Sequence, residues 1–328
     1  MAISPLVMNT LPDRPSDPSP LQSCECPQAY EPGRIGVATV LFNSEAVLPD
    51  FLESLNKQTY NCFTVYAVDN ASTDRSELIC AGSGANVVVT RNDENLGFAA
   101  ATNQGIRQAI ADGCEYVLLL NNDVLFSSEF FQELLKSLVD NKADLVAPLT
   151  YYFDSPNVIW AAGGRLQRLF GYRPVHLGMS ESDQNQFGRD QRIEFAPGSA
   201  ILARRDVFAR VGLLDETFFT YWEDADFAVR ALRAGLRMFL APRAKLWHKV
   251  SSLAGLNSPF QRYYAVRNHA LYIRKHCGAL HAAVLSFGYL TYYRVAALLR
   301  KGDASRVRHW KEGLRLAKRP DAETTDHS

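Results

Sequence analysis

Apolar positions fall into short continuous runs separated by amphipathic stretches, and this alternation begins near Arg34. It predicts strand 35–42, helix 46–58, strand 63–68 ending on Asp69, a short helix near Ser76, strand 87–90, helix 97–111 and strand 116–120. Runs such as FTVYAV and VLLL are nearly continuously apolar, as expected of strands covered by helices on both faces of a parallel sheet. The predicted fold class is therefore α/β, with a mixed, mostly parallel sheet and flanking helices.

From about 150 to 200 the pattern loosens around Tyr151, Tyr152, Trp160, Gly163 and Gly164, which predicts loops and short strands shaping a substrate site. Regularity returns with strand 199–203, a helix from Arg205, a helix over 223–234 and short strands 237–241 and 245–247. Beyond Pro259 the pattern is helical throughout. Residues 1–32 are rich in Pro and Ser without a sustained apolar period, so they predict a flexible tail that cannot offset the entropy of ordering. The expected organisation is a tail over 1–32, a main domain over 33–255 and a helical extension over 256–328. A chain of 328 residues with 47% hydrophobic content fits one large core with extensions.

Lysine plus arginine equals aspartate plus glutamate, 35 against 35, so no overall field calls for nucleic acid as a partner. Of the six cysteines only Cys24 and Cys26 are close, in a spacing that suits neither a paired zinc site nor a compact disulfide framework. With no signal-peptide-like apolar run at the start, this predicts a cytoplasmic protein. The C-terminal stretch departs from the average. LHAAVLSFGYLTYYRVAALL is mostly apolar, yet Arg294 argues against a membrane span, leaving a membrane-surface helix or packing on the core. Residues 300–319 then carry eight basic side chains against two acidic ones, an excess of six. That pairing predicts contact with anionic lipid on the inner face of the plasma membrane; a solvated helical face explains the charges equally.

Ligands of such sheets bind beyond the carboxyl ends of the strands. Those ends carry Asn43, then Asp69 and Asn70, then Asn92, then Asn121, Asn122 and Asp123. Asp123 follows a buried strand, where a carboxylate requires solvent, a donor or a cation. Magnesium and manganese are natural partners, being held by few protein oxygens plus substrate phosphates, although Asn and Asp in this run also suit a turn. In FFTYWEDADFAVRALRAG, Glu223, Asp224 and Asp226 fall in the first turn of a helix, where they complement its dipole. Beside Tyr221 and Trp222 they also suit a sugar-transfer site, in which Asp224 is the candidate general base for an acceptor hydroxyl. His248, in KLWHKVSS, is either a hydrogen-bonded structural histidine or a ligand.

Six ordered motifs carry a resemblance: VATVLFNSE, VYAVDNASTDRS, NDENLGFAAATNQGI, LLLNNDV, GSAILARRDVFARVGLLDETFFTYWEDADFAVRALRAG and PRAKLWH. From about Ile35 to Asn268 the chain resembles a family 2 glycosyltransferase of the GT-A fold, in the branch of bacterial rhamnosyltransferases and galactofuranosyltransferases. The resemblance implies a metal-dependent, inverting transfer of sugar from a nucleotide-diphosphate donor to a glycan or lipid-linked acceptor in cell-surface polysaccharide biosynthesis. It favours dTDP-rhamnose over a UDP-sugar. By the same resemblance Asp69 bonds the base, Thr39 and Asn43 meet the nucleotide, Asn95 belongs to the nucleoside and phosphate wall, and Asn103 supports that wall from below. NND stands at the DXD position, with Asp123 and His248 holding Mg2+ or Mn2+. Asn121 there replaces an Asp, trading one charge for an amide able to bond ribose or sugar hydroxyls. Asp224 is the implied base, and Trp222 and Glu223 line the acceptor pocket. Arg267 is either a donor-diphosphate contact or a surface or capping charge. A dinucleotide oxidoreductase is excluded because no GxGxxG follows the first strand. A non-catalytic nucleotide-sugar or glycan-binding module is the alternative.

Overall fold

A computed structural model describes residues 33–250, 258–299 and 305–317. The predicted tail, Cys24 and Cys26 lie outside the described residues, as do 300–304 and 318–319 of the basic stretch.

The first half builds β1 (Ile35–Leu41), α1 (Leu48–Asn56), β2 (Phe63–Asp69), α2 (Ser76–Ala81), β3 (Val87–Arg91), α3 (Phe98–Ala111) and β4 (Tyr116–Leu120), close to the predicted bounds. The second half adds β5 (Val124–Phe126), α4 (Phe130–Asp140), β6 (Leu145–Tyr152), β7 (Ser155–Ala161), β8 (Gly164–Gln167), β9 (Arg173–His176), β10 (Gln191–Ile193), β11 (Ala200–Arg204), α5 (Arg205–Val211), α6 (Glu223–Arg233) and β12 (Met238–His248). Three helices close the chain: α7 (Pro259–His276), α8 (Ala279–Leu299) and α9 (Ser305–Leu316).

One large sheet runs in the order β10-β12-β6-β11-β4-β1-β2-β3, with β5 paired to β12 and β7 to β6. Strands β1, β2, β3 and β4 are mutually parallel; β11 is antiparallel to both β4 and β6, so β6 and its parallel partner β12 point the same way as β4. The sheet is therefore mostly parallel, and one rim collects the carboxyl ends of β1, β2, β4 and β12 together with the start of the reversed β11. Helices cover both faces. Tyr66, Ile106, Val117 and Phe227 belong to one apolar layer, and Leu41, Phe51, Leu118 and Phe131 to the other.

Two differences from the sequence pattern have local causes. No element was expected over 128–149, where the structure places α4 and most of β6. Phe130, Phe131, Leu134, Leu135 and Leu138 form the buried face of α4, a helical period that the pattern carried. The two short strands expected at 237–241 and 245–247 are one strand, β12, whose register on β6 shifts between Ala241 and Lys245. Pro242, which lacks an N–H for the ladder, sits in that shift.

Candidate active site

On the β1–β3 side of the rim, an amide network fixes the loops. Asp69 ends β2 fully buried; its Oδ2 accepts from Arg91 Nη1 at 2.5 Å and from the Ser72 amide at 3.3 Å. Its Oδ1 and the Oγ1 of buried Thr39, on the neighbouring strand, have no hydrogen-bond partner among the described residues. Asn43 adopts φ 51°, and its Oδ1 accepts from the Thr73 amide at 2.8 Å, so it braces the loop after β2. Asn70, which the residue-by-residue resemblance passed over, is the hub. Its Nδ2 donates to Asn95 Oδ1 and the Gly97 carbonyl, while its Oδ1 accepts from the Leu96 amide and Asn92 Nδ2. Asn95 Oδ1 also accepts from the Gly97 amide. Asn103 is buried as expected, but the segment it supports is a different one: it bonds the Leu214 backbone in both directions and Glu216 Oε1.

At the centre, Asn122 donates to the Val40 carbonyl and Ser44 Oγ, locking the turn after β4 to the end of β1. Asp123 and His248, both buried, meet with Oδ1 and Nε2 3.2 Å apart. Asn121 Oδ1 and His248 Nδ1 are buried with no hydrogen-bond partner among the described residues. Neighbouring ligands on an octahedral magnesium ion, with bonds of about 2.0–2.1 Å, lie roughly 3 Å apart, so the Asp123–His248 pair has the spacing of two such ligands. No cluster of three or more metal-ligating His, Cys, Asp or Glu side chains occurs among the described residues. The donor set is thus a pair of protein atoms, which suits a cation completed by phosphate and water.

The acidic helix α6 closes the other side. Asp224 Oδ2 accepts from the Gly198 amide at 2.9 Å, at the entrance to β11, and Oδ1 accepts from the Ala225 amide at 2.7 Å. Glu223, 6% exposed, has Oε2 buried with no partner among the described residues. Burial pushes both carboxyls above their ordinary range, and the charge of Asp224 raises Glu223 further. The Gly198 and Ala225 amides pull Asp224 back toward its ionised form, whereas Glu223 Oε2 has no such donor among the described residues. Asp226 is different. Burial works to raise it, but His276 Nε2 at 2.7 Å, Arg230 Nε at 2.8 Å and Lys275 Nζ at 2.8 Å outweigh that and hold it well below the usual range. It ties α6 to the end of α7.

His176 was not foreseen. Its ring packs edge-on to Trp160 at 4.8 Å, and Trp160 packs edge-on to His248 at 4.8 Å, so one indole stands between two histidines. Burial lowers its pKa, while the Trp160 carbonyl and the nearby Asp224 charge pull the other way. A lone histidine in the loosely patterned stretch 150–200 gives no sequence signal.

The loop leading into α6 is strained. Phe219, Tyr221 and Trp222 all have positive φ, at 65°, 64° and 78°, without being glycine. Helix α7 holds it there. Asn268 Nδ2 donates to the carbonyls of Phe218, Thr220 and Tyr221 at 2.7–2.8 Å, and Arg267 Nη2 donates to those of Thr217 and Phe218. Arg267 is buried and so is not a surface charge; its Nη2 caps the last carbonyls of the short turn 216–218 that leads into the loop. Trp222 stacks on His269 at 4.2 Å and donates Nε1 to the Ala265 carbonyl, turning toward α7.

Residues 37–212 match the model of the family described as Glycosyl transferase family 2. The chain is similar to the dTDP-rhamnosyl transferase RfbF of Shigella flexneri, 26% identical over 239 residues, which cover 66% of this chain and 72% of that protein. It is also similar to the N-acetylglucosaminyl-diphospho-decaprenol L-rhamnosyltransferase of Mycobacterium tuberculosis, 27% identical over 238 residues, covering 67% and 77%. Among solved structures, GalNAc-T7 with UDP, GalNAc and Mn2+ superimposes with a TM-score of 0.60 over 86% of this chain at 14% identity. This chain spans 54% of that protein, and the likeness is one of fold.

Proposed function

The chain belongs to glycosyl transferase family 2, and from that premise we propose that it is an inverting transferase moving a sugar from a nucleotide diphosphate to an acceptor hydroxyl. The observation that carries this reading is the placement on one rim of the Asp123–His248 pair and of Asp224, whose carboxylate is oriented by the Gly198 and Ala225 amides. Asp69 Oδ1 and Thr39 Oγ1 take the base, while Asn43 and the Asn70–Asn95 network shape the nucleoside wall. Asn121 Oδ1 faces a ribose or sugar hydroxyl. Asp123 and His248 would hold Mg2+ or Mn2+, which when bound would neutralise charge developing on the leaving diphosphate.

Asp224 accepts the proton of the acceptor hydroxyl as that oxygen attacks the anomeric carbon from the side opposite the diphosphate. Glu223, raised by burial and by the charge of Asp224, is the carboxyl that keeps its own proton and so does not compete for the incoming one. Trp222 and Glu223 form the acceptor wall, and Arg267 acts on it by fixing the loop before α6 through the Thr217 and Phe218 carbonyls.

The similarity to two rhamnosyltransferases favours dTDP-rhamnose as donor, and one of those relatives is named for a lipid-linked sugar, which favours a lipid-linked acceptor in surface-glycan assembly. The test is a panel of nucleotide sugars with and without Mg2+ or Mn2+, read by thermal stabilisation. A metal-dependent rise in melting temperature greatest for dTDP-rhamnose is expected; no rise with any nucleotide sugar contradicts the proposal.

A further inference from the structure

Among the described residues, the last three helices leave one long apolar face exposed. Along α8, Leu280, Val284, Phe287, Thr291, Val295 and Leu298 follow helical spacing and are all exposed, Leu280 and Leu298 by 80% and 83%. The opposite side is occupied: Ala282, Ser286 and Tyr293 are buried, and Tyr289 and Tyr293 pack on Trp310 of α9. A helix with one side committed to protein is not a lone span surrounded by lipid, although its length and hydropathy would allow one. It is apolar outward and anchored inward, the form of a helix lying in the plane of a bilayer surface.

Charge identifies the occupant. Although the whole chain balances at 35 against 35, residues 258–319 carry thirteen lysines and arginines against two carboxylates. Arg308, Lys311 and Arg315 line the outer side of α9 and are exposed, as is Arg294 on α8. Among the described residues of the extension the sole carboxylate is Glu312, which accepts from the Tyr263 hydroxyl at 2.5 Å. A second copy meeting this face symmetrically would set cations against cations. An anionic bilayer satisfies both the apolar stripe of α8 and the exposed cations that α8 and its packed neighbour α9 carry.

We propose that α8 and α9 dock the enzyme on an anionic phospholipid surface, α8 inserting its Leu280–Leu298 stripe among the acyl chains and the α9 cations meeting the headgroups. Docking bears directly on the site, since α9 crosses α7 so closely at Gly313 that an added Cβ would overlap the Arg267 carbonyl oxygen, and α7 holds the loop before α6. The inference does not depend on the transfer reaction, because its test reads lipid binding.

The full chain is sedimented with phosphatidylcholine vesicles with and without phosphatidylglycerol. Binding is expected only with phosphatidylglycerol. Leu280→Ser with Phe287→Ser and Leu298→Ser should weaken it at least tenfold, and each of Arg308→Gln, Lys311→Gln and Arg315→Gln by about fivefold. All these side chains are exposed, so circular dichroism and the melting temperature should stay unchanged and confirm folding. Equal binding to both vesicles, no binding to either, or binding unaffected by the serine variants overturns the proposal. So does self-association abolished by the same serines, which assigns the face to a second copy, or retention in membranes after alkaline extraction, which assigns α8 as a span.

Discussion

The proposed donor wall and the proposed acceptor wall are built by different means. The donor wall is local: Asn70, Asn92, Asn95 and Gly97 bond one another across 22–27 residues of chain, on loops that leave adjacent parallel strands. The acceptor wall is remote: a loop with three strained non-glycine residues is held by Arg267 and Asn268 across 47–50 residues, from a helix beyond the last strand. A wall made of strand ends inherits its geometry from the sheet. A strained loop keeps its geometry only while its brace is present, so changes in the C-terminal helices should act on transfer and spare donor binding.

The comparison can be broken most severely at Asp224. Asp224→Asn should lower transfer by about 10²–10⁴-fold, the usual contribution of a general base, with donor affinity unchanged by calorimetry. Asp123→Ala cuts the other side: donor binding should lose its dependence on Mg2+ or Mn2+, and unaltered metal dependence would remove Asp123 as a ligand. Asn268→Leu withdraws a donor from three backbone carbonyls, of which Phe218's keeps Arg267 while those of Thr220 and Tyr221 lose their side-chain partner. At about 1–3 kcal/mol for each group left buried and unpaired, it should lower the melting temperature and kcat together, while the donor's dissociation constant stays put. A variant that loses donor binding as well would show that the walls are not separable.

Gly313→Ala sharpens the same point from farther away. Overpacking against the Arg267 carbonyl should cost about 1–3 kcal/mol and reduce transfer modestly, again without affecting donor binding. The smallest effect is on pH. Glu223 has its pKa raised by burial and by the Asp224 charge, so the folded state binds a proton that the unfolded state releases. Its stabilising effect is complete below the ordinary glutamate pKa and fades as pH rises through the raised folded value. Glu223→Gln should flatten the fall in melting temperature across that window, and an unchanged profile would show that the proton is not held there.

The contrast also explains what the sequence disclosed. Nearly continuous apolar runs marked β1, β2 and β4, and polar residues at or just after their ends marked Asp69, Asn70 and Asp123, because a parallel sheet brings those ends to one rim. His248 joined them because β12 runs the same way. The brace was not legible: Arg267 looked like a charge free to reach a ligand or solvent, and nothing local in RYYAVRNHA says that its partners are carbonyls fifty residues away. Positive φ at Phe219, Tyr221 and Trp222 was equally hidden, since glycine usually marks such positions. The outward face of α8 was half legible. Its apolar residues were plain in the sequence, but which side Trp310 would cover depends on the tertiary packing of α9.

The central claim is a single displacement in which Asp224 activates an acceptor across from the departing diphosphate. It is tested most directly by NMR of the product formed from dTDP-rhamnose, or from whichever nucleotide sugar the stabilisation panel selects. The account predicts an anomeric configuration opposite to the donor's; a product that retains the donor's configuration would contradict it.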